Sequence, residues 1–406
     1  MTDEPIVVTG MGCVSALGHS VEAFWSALRA GRCGLGPLNG VPAPLDLKVK
    51  VGGMIPPPDP REQVDARRLP MLDRFSVLAL AAAGQAIAQA GLPLTDGGFR
   101  TGCIVGVGTA GAETIDELYR RMFLEGAKRA NVFTVPRVMP SAPASQVSMT
   151  HGIRGPIFTV SSACASSNHA VAAALPLLRG GVIDAAVVGG TEAPLTYGIL
   201  KAWEALRVLA PDTCRPFDRD RKGLVLAEGS GMVVLERASH AKARGATILG
   251  QIAGAGMSAD AADLVAPTLE GPAAAIRACL ADAGLGPGDI DYVNAHGTGT
   301  MANDVTEINV LKAVFGPDAR RLSVSSTKSM HGHALGASGS LELVAMIEAI
   351  RHGVVPPTMN IEELDPECDL DVTPGQARER PIRAAISNAF AFGGTNAVIA
   401  ARRFEG

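Results

Sequence analysis

Four short runs concentrate the residue types that do chemistry. TVSSACASSNHAV (159–171) sets Cys164 where a β-rich run gives way to an alanine-rich helical one. NAHGTGT carries His296, STKSMHGHALGASG carries Lys328, His331 and His333, and NAFAFGGTNA carries Phe390 and Phe392. A thiol in the first turn of a helix meets the positive end of the macrodipole and unpaired N–H groups, and both favour thiolate. Taken singly, each residue has a plainer reading. Cys164 reads as a small buried hydrophobe, His296 as a core histidine bonded to backbone, His333 as a surface residue and Lys328 as a solvated charge. Jointly they are harder to dismiss, because each stands at a Gly/Ser turn closing a strand. In open α/β sheets such turns gather at one edge, where ligands bind. None of the runs is a phosphate loop: GHALGASG lacks the GxxxxGK[ST] form, and GVGTAG (106–111) misses the GxGxxG spacing.

The elements that must position these turns alternate along the chain. Strands are expected at 5–11, 101–108, 156–162, 184–191, 229–237, 247–257, 291–297, 322–327, 383–390 and 395–403. Helices are expected at 21–30, 75–91, 115–128, 165–180, 271–283, 304–315 and 337–352. This alternation predicts α/β layers with strands buried on both faces. FTVSSACASSNHA and AISNAFAFGGTNA share a strand–turn layout, and VVGGTEA and YVNAHGT both end a strand in a polar signature. A duplicated unit explains this echo, with its boundary near 245–255.

Composition sets the outer bounds. The chain has 406 residues, room for two or three domain-sized units. Hydrophobic residues make up 47% and charged ones 19%, which excludes a disordered chain. A net charge of −4 argues against wholesale nucleic-acid binding, which leaves a basic field. The seven cysteines (13, 33, 103, 164, 214, 279 and 368) are dispersed and show no metal spacing, a pattern that fits free thiols in a reducing compartment. The opening MTDEPIVVTG runs directly into a strand, so no signal peptide is expected. The most apolar stretch, 77–92, is interrupted by Gly84, Gln85 and Gln89 and reads as a buried helix. A cytoplasmic location is the expectation.

From VVTGMGCVSALG (7–18) through RPFDRDRKGLVLAEGSG (215–231) to AFGGTNAVI (391–399), the chain resembles the β-ketoacyl-[acyl-carrier-protein] synthases, in particular the elongating type II enzymes. The resemblance implies a thiolase-like αβαβα fold of two pseudo-symmetric halves, 1–250 and 251–406. It implies a decarboxylative condensation in fatty-acid or polyketide elongation, and acyl- and malonyl-loaded acyl carrier protein as partner. A homodimer is expected, or a heterodimer with a chain-length factor. Cys164 matches the acyl-accepting nucleophile, His296 and His333 the paired histidines, and Lys328 the supporting lysine, with Glu307 as that lysine's carboxylate partner. Phe392 matches the position whose N–H joins that of Cys164 in an oxyanion hole. Thr298, Thr300 and Phe390 fall in the substrate-binding motifs, and Thr109 in GVGTAGAET falls on the expected wall of an acyl tunnel. Arg67, Arg68 and Arg207 match a carrier-protein patch. Asn294, Glu342, Ser387 and Asn388 resemble a structural site for Na⁺ or K⁺, and no other cofactor is implied. Met301 stands where a proline is frequent, and His331 offers a second candidate beside His333, which the following LGASG spacing favours.

Three rivals make different demands. A thiolase wants a second catalytic cysteine late in the chain, but Cys368 lies in the polar DPECDLD stretch, away from any Gly-rich strand end. An initiating condensing enzyme shows Asn in place of the second histidine. A non-catalytic chain-length subunit typically lacks the nucleophile.

Overall fold

The computed structural model describes residues 4–39, 41, 47–94 and 97–406. Its main sheet has ten strands: β1 (Ile6–Ser15), β2 (Thr101–Gly106), β3 (Ile157–Val160), β4 (Ala185–Glu192), β5 (Gly229–Arg237), β6 (Gly250–Ala259), β7 (Tyr292–Asn294), β8 (Ser323–Ser325), β9 (Ala384–Ala391) and β10 (Thr395–Arg402). Each falls on a strand expected from the sequence. The order across the sheet is β8-β7-β9-β10-β6-β1-β5-β4-β2-β3. From either rim to the centre, the strands of each half run third, second, fourth, fifth, first. The outer strands pair in parallel in both halves. The remaining pairs are antiparallel, including the central β1–β6 seam, where Ile6 faces Ile252.

Six helices cover and divide this sheet: α1 (Arg74–Ala90), α2 (Ala142–His151), α3 (Ser166–Arg179), α4 (Glu270–Ala283), α5 (Met301–Phe315) and α6 (Ser338–His352). α3 packs on β2 and β4 of the first half and on β6 and β10 of the second, and α6 likewise touches β4, β5, β9 and β10. Both therefore lie between the two halves of the folded sheet. α1 and α2 cover the outer face of the first half, while α4 covers that of the second with α5 beside it. The result is five layers, helix–sheet–helix–sheet–helix.

Sequence explains the central layer. α6 is buried at every position from Ser338 to Ile350, so over that stretch it presents no face to solvent. Its Leu341, Val344 and Ile347 are completely buried, each contributing about 1.5–3 kcal/mol by the usual transfer scale. α3 can approach β2 because Gly106 has no side chain: a Cβ there stands 2.4 Å from the Ser166 carbonyl carbon. Sequence periodicity missed α2 and the helix Tyr197–Leu206. APASQVSMTH distributes small and polar residues around its axis and offers no apolar stripe.

Candidate active site

Cys164 sits two residues ahead of Ser166, the first residue of α3, on a turn where Ala163 adopts a left-handed φ of 50°. That conformation costs a non-glycine residue about 1–2 kcal/mol. Ser166 holds the turn: its Oγ donates to the Ala163 carbonyl at 2.6 Å and accepts from Ser162 N–H at 2.9 Å. The thiol is thus not in the first helical turn, as the sequence suggested. It is also less acidic than expected, because burial pushes it up to about 12 against the opposing charge of Lys328. A proton acceptor is needed, and one is present: His333 Nε2 lies 3.1 Å from Cys164 Sγ.

His333 follows β8, and its Nδ1 shares a 2.8 Å hydrogen bond with Ser338 Oγ at the start of α6. His296 follows β7, and its ring meets that of His333 edge-on, with centroids 5.5 Å apart. The Cys164 sulfur and a ring nitrogen of each histidine lie within 4.8 Å of one another. Burial drives both imidazoles well below the ordinary histidine range, with the Lys328 charge adding to the effect. Both rings are neutral at physiological pH. His331 is elsewhere, its Nε2 bonded to Thr327 Oγ1 at 3.0 Å and its ring 5.9 Å from that of Phe24.

Lys328 is completely buried. Its ammonium donates to a Glu342 carboxylate oxygen, to the His296 carbonyl at 2.7 Å and towards His296 Nδ1 at 3.5 Å. An ammonium only donates, so Nδ1 of His296 is the acceptor and the ring proton sits on Nε2. The carboxylate partner expected for Lys328 therefore needs correcting: it is Glu342, one turn into α6. Glu307, on α5, instead accepts from the backbone N–H groups of His296 and Gly297, each at 2.8 Å, and from Asn388 Nδ2 at 3.0 Å. It holds the His296 turn from behind, and burial pushes its carboxyl up to about 7.

The RPFDRDRKG block buttresses the same turn. Buried Arg221 donates to the carbonyls of Thr300 and Met301 at 3.1 and 2.9 Å, and pairs with Asp365 at 2.6 Å. Met301, where a proline is frequent in the family, starts α5 and is 58% exposed.

A cavity of about 120 Å³ opens onto the thiol, lined by Cys164, His296, His333, Thr298, Thr300, Phe390 and Phe392 among others. The Phe390 ring is 6.2 Å from His296, and Phe392 stacks on Trp203 at 5.7 Å. Thr109 does not line it. That side chain is half-buried, and its Oγ donates to Glu192 at 2.7 Å. Arg207 is exposed beside Val208 of the cavity wall, whereas Arg67 and Arg68 lie apart from it, Arg68 donating to Gln146 and Thr150 of α2.

Four buried oxygens have no hydrogen-bond partner among the described residues in the expected cation set: Asn294 Oδ1, Glu342 Oε2, Ser387 Oγ and Asn388 Oδ1. Hard neutral oxygens with one carboxylate are the donor set that a group 1 or 2 cation prefers. The residues present fit such an ion.

Substituting His333 separates base from nucleophile. With the thiol near 12 and its acceptor gone, His333→Ala slows iodoacetamide alkylation of Cys164 at neutral pH by about 10² or more. Mass-resolved labelling checks this, and the variant's rate goes on climbing with pH above neutrality.

Residues 3–241 match the N-terminal domain of β-ketoacyl synthases, and residues 249–362 match the C-terminal domain. The chain belongs to the β-ketoacyl synthase family. Across 99% of its length it is 53% identical to nodulation protein E of Rhizobium sp. (strain N33), covering all of that protein. It is 38% identical to 3-oxoacyl-[acyl-carrier-protein] synthase 2 of Synechocystis sp., with 98% of each chain covered. Among solved structures, the ishigamide ketosynthase/chain length factor superposes with a TM-score of 0.94 at 35% identity, over 99% of this chain and 100% of that one. The five layers described above are thus the thiolase-like architecture of β-ketoacyl synthases.

The sequence reading did not single out Glu192 or Ser338. The only cue to Glu192 was the polar end of VVGGTEA, and nothing distinguishes Ser338 from its serine and glycine neighbours before the helix is folded.

Proposed function

We propose that this β-ketoacyl synthase accepts an acyl group on Cys164 and condenses it with malonyl-[acyl-carrier-protein], releasing CO₂, free carrier and 3-oxoacyl-[acyl-carrier-protein]. The observation that carries the reading is the 3.1 Å approach of His333 to a buried thiol that lines the cavity. The Cys164 thiol gives its proton to His333 Nε2, and the thiolate attacks the acyl thioester. Backbone N–H groups of Cys164 and Phe392 receive the oxyanion, a type of contact worth about 10²–10³ in rate. The carrier–acyl C–S bond breaks, and the departing carrier sulfur takes the proton back from His333.

Malonyl thioester then loses CO₂. The electron pair of the broken C–C bond moves onto the thioester oxygen as an enolate. His296, with Nδ1 turned to Lys328, offers Nε2–H to that oxygen. His333 offers the same in its Nε2–H tautomer, with the Ser338 hydroxyl donating to Nδ1; a hydroxyl serves either tautomer because it both donates and accepts. Neutral imidazoles suit this step, since neither protonates the carbanion. The carbanion attacks the acyl carbon on Cys164, a C–C bond forms and the sulfur leaves as thiolate, which takes up one proton from solvent to restore the thiol. No electron is gained or lost overall, so the steps call for no redox cofactor. Asn294, Glu342, Ser387 and Asn388 would hold a Na⁺ or K⁺ ion, which would supply the positive charge that the second Glu342 oxygen lacks.

The chain is read as two copies of one unit, 1–250 and 251–406, on the strength of the repeated strand order. A homodimer is favoured because β3 is an edge strand with Ile157 and Phe158 each 37% exposed, and Phe123, Leu124 and Val132 are exposed nearby in sequence. Pairing with a chain-length factor uses the same edge. Arg207, exposed and next in sequence to the cavity-lining Val208, is read as a contact for an acidic carrier protein. A cytoplasmic location accords with seven unpaired cysteines, and no described helix is long and apolar enough to cross a membrane.

Incubation with acyl-loaded and malonyl-loaded carrier protein is expected to yield 3-oxoacyl carrier and one CO₂ per turnover. Hydrolysis of the acyl group, or release of CO₂ without a new C–C bond at any acyl length, overturns the reading.

A further inference from the structure

Glu192 closes β4 completely buried, and no step above uses it. Its carboxylate accepts four hydrogen bonds. Oε1 takes Thr109 N–H at 3.0 Å and Thr109 Oγ–H at 2.7 Å; Oε2 takes Gly108 N–H at 2.7 Å and Gly336 N–H at 3.0 Å. One oxygen thus joins two loops: 107–111 after β2, and 332–337, which carries His333. The two loops are in backbone contact there, since a Cβ on Gly336 stands 2.4 Å from Gly108 N and 2.8 Å from Glu192 Oε2. The nucleophile is tied into the same knot. Ser167 donates to the Gly336 carbonyl, and Ser166 Oγ lies 3.3 Å from the Val107 carbonyl.

Resting on the proposed condensation, we propose that Glu192 is a positioning residue: it fixes Gly336, and with it His333, against Cys164, and it makes that alignment depend on the Thr109 loop. A buried carboxylate suits this task because it accepts from several N–H groups at once, which an amide side chain cannot do without turning a donor on a donor. Thr109 thereby acts on the histidines although its side chain is absent from the cavity wall.

Malonyl decarboxylation measured without any acyl donor isolates the effect, because no acyl chain is present to feel the loop directly. Thr109→Val and Glu192→Gln are each expected to lower kcat for CO₂ release about tenfold, the size of loss a small misplacement of catalytic groups produces, with KM for malonyl carrier unchanged. Thr109→Ser, which keeps the hydroxyl, is expected to match wild type. If Glu192→Gln fails to fold, the Thr109 pair decides alone. A Thr109→Val protein that decarboxylates like wild type, or a Thr109→Ser protein as slow as Thr109→Val, overturns the coupling while leaving the condensation reading intact. A wild-type protein that releases no CO₂ from malonyl carrier even when acyl carrier is supplied overturns the condensation reading itself.

Discussion

Cys164→Ala abolishes condensation, to below about 10⁻³ of the wild-type rate, because no other group can carry the acyl chain between the two half-reactions. The other described cysteines are poor substitutes. Cys13, Cys103, Cys214, Cys279 and Cys368 are buried among core residues. Exposed Cys33 turns its sulfur towards the Ser329 carbonyl, and the cavity is not lined by it. The fold should tolerate the change, since the side chain is small and already 6% exposed at the cavity. The measurement is single-turnover transfer from labelled acyl carrier. Wild type retains label on the protein, whereas the variant retains none and melts within a few degrees of wild type. Retention of label at wild-type level in the variant removes Cys164 from the mechanism and the thiol–histidine geometry with it.

Lys328→Met carries the second large effect, and on two quantities at once. The lysine and Glu342 are both buried, so removing one partner strands a charge in the core, at a loss of about 3–5 kcal/mol. Burial already raises the Glu342 carboxyl, and Lys328 is what opposes that rise. Without the lysine the folded-state value climbs further above the unfolded one. A raised carboxyl contributes stability below its unfolded pKa and loses it as pH rises through the folded value. Lys328→Met is therefore closest to wild type in mild acid and weakest above neutrality, which denaturant melts across pH will read. Adding Glu342→Gln removes the stranded charge and restores much of the stability. It does not restore turnover, because nothing then directs the His296 proton to Nε2. Recovery of activity together with stability in the double variant makes the lysine a purely structural counter-charge.

Much of this was legible in the chain itself, for identifiable reasons. All ten strands could be read because β-branched runs bounded by Gly-rich turns are a local signal, and both halves use them. The nucleophile and the histidine pair were visible because each sits in a small-residue turn that has little other reason to contain it. What could not be read were contacts between segments far apart. Glu307 and Glu342 are both acidic residues on helices near the right motifs, and spacing along the chain does not say which one Lys328 faces. Nothing local says that the Thr109 hydroxyl is held by Glu192, 83 positions away. Burial acts on the Cys164 thiol in the opposite direction to the nearby helix, and it too is invisible in the local sequence. The helix is a short-range feature, but the burial that opposes it comes from layers contributed by both halves.

The repeated strand order has a further consequence. The sulfur follows the strands of one half of the sheet, whereas both imidazoles and the Phe392 turn follow strands of the other half. Each set of strands holds groups that the other lacks, so a substitution that shifts either set misaligns the reacting atoms held by its counterpart. The β1–β6 seam is thus more than a packing boundary: it is the joint across which two incomplete machines become one.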